Sequence, residues 1–411
     1  MGFVRRAHLA NVGLAAATMA LTLLAVEAAA RLALRGTGGG KEQNEPSQYM
    51  EHDPHRGWRH RPGARATYRR REYTTDVAIN AQGLREAERH YVAPPGTFRV
   101  LALGDSFVEG YTVAYEQTVT QAAEKALSRP GCPVEVLNAG HAGYGTDQEY
   151  LFYRDEGVKY RPQVVLLFLF YNDIFSNTVS NYFGSPKPLL AVRHGALVLT
   201  NEPVPPPAPP PPAAPAPGRR PNTFKGSVAL EWIRDRLVRG APRAYNALAR
   251  TGLWEPLGGH TIPRGDQLRV YKRRRQPDVE DAWTITAEIV AALANEVWAS
   301  RSHFAVVHVP SRMEVSDRDW ELTRLLYGLD QRVWDRGLVA RRVAEMGRVG
   351  AFPVLDLTPA LREATGRLAG DPYFLHDGHW NARGHHAAGH AVARFLRAQG
   401  WLPACASSAG P

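Results

Sequence analysis

A chain of 411 residues, 44 % of them hydrophobic, is long enough for one large core of roughly 250 to 300 residues plus appendages, and too long for a single small domain. Its 50 basic and 40 acidic residues leave a formal charge of +10, yet the basic clusters (Arg56 to Arg71, Lys272 to Arg275) are short and lack any zinc-finger, RNA-binding or recognition-helix pattern, which argues against a nucleic-acid partner. Only two cysteines occur, Cys132 and Cys405, excluding a disulfide-rich scaffold and a cysteine metal cluster.

Arg5 and Arg6 precede an apolar run from Ala7 to Val26. About twenty helical residues at 1.5 Å each cross a hydrocarbon core of about 30 Å, and basic residues ahead of such a run hold that end in the cytoplasm. Residues 1–36 therefore read as an N-terminal transmembrane signal anchor, making the protein single-pass in the cell membrane with its main domain on the extracytoplasmic face. The rival is a cleaved signal peptide, because Ala28 to Ala30 resembles a cleavage site. Residues 37–48 have the composition of a flexible tether. Residues 49–97 read as an ordered lead-in packed on the core, with a β-like stretch from Tyr73 to Ile79 closed by Asn80-Ala81-Gln82-Gly83.

The main domain, 98–400, opens with FRVLALGDSFVEG from Phe98 to Gly110: a short strand that stops at Gly104 and presents Ser106 in the turn before a helix. Gly-Asp-Ser also makes an ordinary turn, so this serine gains meaning only from residues further along the chain. Thr118 to Leu127 has helical spacing, and Val134 to Leu137 is a strand ending in the glycine-rich Asn138-Ala139-Gly140-His141-Ala142-Gly143. Gln148 to Tyr160 looks helical. Val164 to Phe170 is apolar without alternation, as in a central strand buried on both faces, and it ends at Tyr171-Asn172-Asp173. Strand, loop, helix, strand is the βαβ order that gathers functional loops at the carboxyl ends of strands.

An insert, 174–281, interrupts this rhythm, with a proline tract at 203–217 that can enter neither sheet nor helix. Within it, Ser227 to Arg239 and Tyr245 to Leu253 read as helices of a lid or cap. Trp283 to Trp298 is then a helix, Phe304 to Val309 a strand, Trp320 to Met346 mostly helix, Val354 to Leu357 a strand, and Gly384 to Leu396 the last helix. About five parallel strands interleaved with helices make an α/β, three-layer, flavodoxin-like fold.

Just before the last helix stands His376-Asp377-Gly378-His379-Trp380-Asn381. A serine hydroxyl needs a neighbouring base and the base an orienting acid; Asp377 and His379 are near enough for one loop to place both. The same region offers His376, Asp377, His379, His385, His386 and His390 as metal ligands, but no matching set occurs upstream, whereas Ser106 waits there for a base. Neither a metal nor a cofactor is called for. His308, beside Pro310, reads as strand-end structure.

These blocks resemble those of the SGNH (GDSL-type) serine hydrolase superfamily, esterases and acylhydrolases with this fold. Gly104-Asp105-Ser106 is similar to the nucleophile block, Asn138 to Gly143 to the glycine block, Asn172-Asp173 to the asparagine block, and Asp377 and His379 to the closing acid–base block. The resemblance implies Ser106 as nucleophile, His379 as base, Asp377 as acid, and an oxyanion hole from the N–H groups of Ser106 and Gly143 and the amide of Asn172. Asn80 to Glu86 resembles a membrane-tethered bacterial branch of the family. Two departures stand out: Phe170-Tyr171 precedes Asn172 where the family has a glycine, and the acid lies two residues before the histidine instead of three, which keeps Asp371 in reserve as the acid. Asp105 reads as a loop-ordering acceptor. The function implied is removal or transfer of small O-acyl groups such as acetyl on a cell-envelope glycan, with an acylated carbohydrate or lipid as substrate and the membrane held through the N-terminal helix. A lipase or lysophospholipase acting on longer chains is the first alternative, and a non-catalytic polysaccharide-binding protein retaining the fold is the second.

Overall fold

The computed structural model describes residues 46–70, 72–182, 184–208, 227–251, 267–366 and 370–403, together with most of 18–32. Five strands form the central sheet: β1 (Phe98–Gly104), β2 (Val134–Gly140), β3 (Val164–Phe170), β4 (His303–Val309) and β5 (Val354–Asp356). They pair in the order β2-β1-β3-β4-β5, and every pairing is parallel. This 2-1-3-4-5 order is the flavodoxin-type one, with its switch point between β1 and β3.

Successive side chains of a strand point to opposite faces, and here both faces are covered. Leu101, Leu103, Val165, Leu167 and Val306 pack on one side with Leu151 of α3 (Thr146–Asp155), Ile289 and Leu293 of α5 (Pro277–Ala299) and Val343 of α6 (Leu338–Gly350). Val100, Ala102, Leu166, Phe168 and Val307 pack on the other with Val119 and Leu127 of α2 (Val119–Leu127) and Val392 and Leu396 of α7 (Ala382–Ala398). Each of the larger of these side chains, fully buried, contributes about 1.5 to 3 kcal/mol of hydrophobic stabilisation, and burial on both faces is why Val164 to Phe170 reads as an unbroken apolar run. The stretch from Trp320 to Met346 is two helices rather than one, Asp317–Tyr327 and α6, the first ending at Gly328.

The lead-in is built of two antiparallel hairpins, Met50–Asp53 with Gly57–His60 and Arg65–Arg69 with Thr74–Ala78. Asn80 to Glu86 is a strut: Asn80 Oδ1 accepts from the N–H groups of Gln82 and Leu84. The buried Arg85 donates to the carbonyls of Glu109 and Val113. In the insert, α4 (Val228–Gly240) packs on a second helix, Pro242–Ala249, around a small core of Tyr245 and Ala249. The second residue of the proline tract is the buried Val204, whose N–H donates to Pro54 O in the lead-in; positions 209–217 lie outside the described residues.

The membrane expectation is corrected. Among the described residues no helix is long and apolar enough to cross a membrane, so the transmembrane anchor, the membrane partner, the single-pass topology and the membrane-tethered branch are withdrawn. Much of the Ala7 to Val26 run lies outside the described residues. The helical part that is described, within 18–32, carries Glu27 and Arg31 joined by an ion pair at 2.7 Å. Glu27 also accepts hydrogen bonds from Ser227 Oγ and the N–H groups of Val228 and Ala229, capping α4. A carboxylate used in this way belongs to a protein contact, not to hydrocarbon.

Candidate active site

The chain leaves β1 at Gly104 and turns at once into α1 (Ser106–Glu109). Asp105 caps that turn, its Oδ1 accepting from Phe107 N at 2.9 Å. Burial raises the Asp105 carboxyl to about 6. Parallel register sets Gly104 against Gly140, which brings the Ser106 turn beside the glycine loop. Gly140 is required there: a Cβ would sit 2.1 Å from the Glu109 backbone nitrogen. Asn138 fixes the same approach from below, its Nδ2 donating to Val108 O at 2.9 Å.

Ser106 Oγ lies 2.7 Å from His379 Nε2, although 273 residues separate them. On the other edge of the ring, His379 Nδ1 is 2.5 Å from Asp377 Oδ1. A carboxylate accepts only, so Nδ1 carries the proton and Nε2 is left to accept from the serine hydroxyl. Burial pushes the Asp377 carboxyl up, but the hydrogen bond and charge of His379 and a bond from Tyr73 outweigh it and hold the group below its ordinary value. Phe107, at 4.9 Å, and Tyr111, at 5.3 Å, pack around the imidazole. Asp371, the reserve acid, is elsewhere: its Oδ1 caps Tyr373 N and its Oδ2 faces Arg312 at 3.5 Å.

Gly143 sits at φ +80°, a left-handed turn that favours glycine. Neither its N–H nor that of Ser106 has an acceptor among the described residues. The loop is held from behind by the lead-in. Trp58 Nε1 donates to Ala142 O at 3.1 Å, and His60 stacks on His141 at 4.1 Å, which stacks on Tyr144 at 4.6 Å. The buried Glu109 carboxylate accepts from Tyr49 OH at 2.8 Å and from Ala142 N at 2.5 Å, with His60 Nε2 at 3.3 Å. Burial disfavours its charge, but His60 and these donors prevail, and its carboxyl is held below the usual range. Asn172 lies two residues past the end of β3. Its Nδ2 donates to Tyr182 OH at 3.3 Å, Gln267 Nε2 donates to the same hydroxyl at 2.9 Å, and the buried Asn172 Oδ1 has no partner among the described residues.

Asp105, Asp147, Glu149 and Asp173 form a buried acidic floor with one equally buried cation, Lys187, which donates to Asp147. Burial, then the neighbouring carboxylates, drive Glu149 and Asp173 well above the ordinary carboxylate range. Both Glu149 oxygens and Asp173 Oδ1 lack a hydrogen-bond partner among the described residues.

The histidines proposed as metal ligands do not converge: among the described residues no group of three or more His, Cys, Asp or Glu is placed to hold a metal ion. His385 is buried and accepts from Val119 N, while His386 packs at a tilt against His390 along α7. His308 is wholly buried against Asp356, at 2.9 Å, as strand-end structure. Sequence reasoning missed Glu72, Tyr73, Trp58, His60 and Glu109, because each acts across chain separations that no local spacing encodes. The one available signal was Glu109, a charged residue in an otherwise apolar turn three positions after Ser106.

No family model matches the sequence, and no curated protein does. Among solved structures, the chain is similar to a lipase/acylhydrolase from Enterococcus faecalis (11 % identity, 74 % of this chain and 96 % of that one, TM-score 0.35). It is also similar to a catalytic mutant of an acetylxylan esterase from Geobacillus stearothermophilus (12 %, 75 % and 97 %, 0.36). A third is an alpha/beta hydrolase enzyme from the metagenome of Lake Arreo, Spain (11 %, 76 % and 99 %, 0.37). Likeness at this level leaves the chemistry of the site to its own residues.

Proposed function

We propose that the protein is a serine ester hydrolase that removes or transfers small O-acyl groups, such as acetyl, on a carbohydrate. The observation that carries this reading is the unbroken line Ser106 Oγ, His379, Asp377, at 2.7 and 2.5 Å, in a half-buried loop cluster at the carboxyl end of the sheet. His379 Nε2 takes the Ser106 proton as Oγ attacks the ester carbonyl. The developing oxyanion is received by the N–H groups of Ser106 and Gly143 and by Asn172, each such donor being worth about 3 kcal/mol in the transition state. His379 then returns the proton to the leaving alkoxide, and water or a sugar hydroxyl attacks the acyl-enzyme in a second pass.

The Asn172 amide supports its own role. Turned over, it would accept from Tyr182 OH and present its NH2 where the unpartnered Oδ1 now lies, converting a buried orphan acceptor into a donor awaiting charge. Small acyl groups are favoured by the aromatic crowding around the base, with Phe170 on Phe107 and Tyr171 on Phe170 where a glycine would leave room. A carbohydrate is favoured by the groove of about 1060 Å³ beside the acid–base loop, lined by polar side chains including Arg70, Thr74, Thr112, Gln117, Asn381 and Arg383.

Purified protein is expected to hydrolyse p-nitrophenyl acetate faster than the butyrate or longer esters. It should also take a fluorophosphonate label at Ser106 that disappears in Ser106→Ala and His379→Ala. Absence of both hydrolysis and label on folded protein would refute the reading, and preference for long acyl chains would move it to a lipase.

A further inference from the structure

We propose that Glu72 and Tyr73, from the lead-in and outside the α/β core, are positioning residues that hold Asp377 in place for His379. The inference rests on the serine hydrolase reading above. Tyr73 OH donates to Asp377 Oδ2 at 2.9 Å, while the other oxygen of the same carboxylate takes His379. The Glu72 carboxylate accepts from three consecutive backbone N–H groups, Leu375 and His376 at 2.6 Å and Asp377 at 3.0 Å. Together the two residues grip the loop by its backbone and the acid by its free oxygen.

The geometry explains how a loop one residue shorter than the common spacing still delivers its acid. With only Gly378 between Asp377 and His379, the carboxylate has to fold back onto the ring beside it, and nothing inside 376–379 fixes its second oxygen. A carboxylate held at one oxygen rotates about its last torsion; held at both, with one bond from a phenol, it offers His379 a single lone-pair direction. Tyr73 is itself buried and packs on Phe374 at 4.8 Å, so the phenol has little freedom to leave. Arg312 ties the loop from the core side, donating to Leu375 O at 2.7 Å, so the loop is gripped from both directions.

The test compares full-length wild type, Tyr73→Phe and Glu72→Gln by steady-state kinetics on p-nitrophenyl acetate and by the low-field imidazole N–H resonance of His379. Tyr150→Phe serves as control, since it removes an equivalent phenol–carboxylate bond, to Glu296 at 2.7 Å, far from the loop. Tyr73→Phe is expected to lower kcat about tenfold with KM unchanged and to shift the resonance, as loss of one charge-assisted hydrogen bond predicts. Glu72→Gln, which keeps one acceptor oxygen, should move both readouts the same way by less. Wild-type kcat with an unshifted resonance in Tyr73→Phe would overturn the proposal, and so would equal changes in Tyr150→Phe. Should Tyr73→Phe fail to fold, Glu72→Gln decides by the same two readouts. The resonance is read without substrate, so a wild type that hydrolyses nothing would count against the hydrolase reading and leave the clamp to be judged by the spectrum.

Discussion

The loop carrying Asp377 and His379 and the floor beneath Asn172 are both polar, and they are satisfied to different degrees. In the loop, each acceptor of the Asp377 carboxylate has its donor and three successive N–H groups have theirs. In the floor, four carboxylates share one lysine and several oxygens are left without a partner among the described residues. A charge that is hydrogen-bonded on every side stays ionised and points one way; carboxylates crowded without donors give up their charge instead. The loop is thus suited to orienting an imidazole, and the floor to keeping protons on its carboxyls.

Five substitutions would sharpen or break that contrast. The largest effect belongs to the loop: Asp377→Asn should lower kcat by about 10⁴-fold, because an amide no longer selects the Nδ1-protonated ring. Asp371→Asn should cost less than about tenfold, as fits a carboxylate that caps Tyr373 N and faces Arg312 instead of the imidazole. Equal losses in the two would mean that the acid is misassigned. Next, Asn172→Ala should lower kcat about 10² to 10³-fold at unchanged KM, the signature of a donor used only in the transition state. Third, Glu109→Gln should destabilise the fold by about 3 kcal/mol in urea titrations, since it leaves His60 and Tyr49 facing a neutral, half-matched partner in a buried network. The smallest effect, and the one of opposite sign, belongs to the floor. Glu149→Gln should stabilise by about 1 kcal/mol at neutral pH. The sign follows from the raised carboxyl: the folded state keeps a proton that the unfolded chain releases above its ordinary value of 4.5. Stability contributed by that proton therefore falls as pH rises through and beyond that value, until the folded group itself ionises. Melting temperatures from about pH 5 to 9 should decline less steeply in Glu149→Gln than in wild type.

The sheet was legible because its signal is local. Val164 to Phe170 is apolar at every position, and the strand occupies those residues; a run buried on both faces has no other way to read. The βαβ rhythm ordered the loops, and the loops carried the glycines and polar residues that mark close approach. Ser106, His379 and Asp377 were each found in such a loop, and the structure places them within hydrogen-bond distance in sequence. What was not legible is everything that crosses between segments. Tyr73 meets Asp377 over 304 residues and His60 meets Glu109 over 49, and no periodicity encodes a partner that distant. The apolar run at the N-terminus misled for the opposite reason, since hydropathy counts side chains and ignores what Glu27 binds.

Lys187 gives the insert a standing that its composition conceals. This wholly buried ammonium comes from the segment between two short hairpins and enters the floor to meet Asp147 and Ser176 O. Relatives that lack the insert would lose the cation and, with it, the tolerance for four acids in one place. Among homologous chains, acids at positions 147, 149 and 173 should accordingly be gained and lost together with a lysine at 187, which would tie the length of an apparently dispensable loop to the composition of the core.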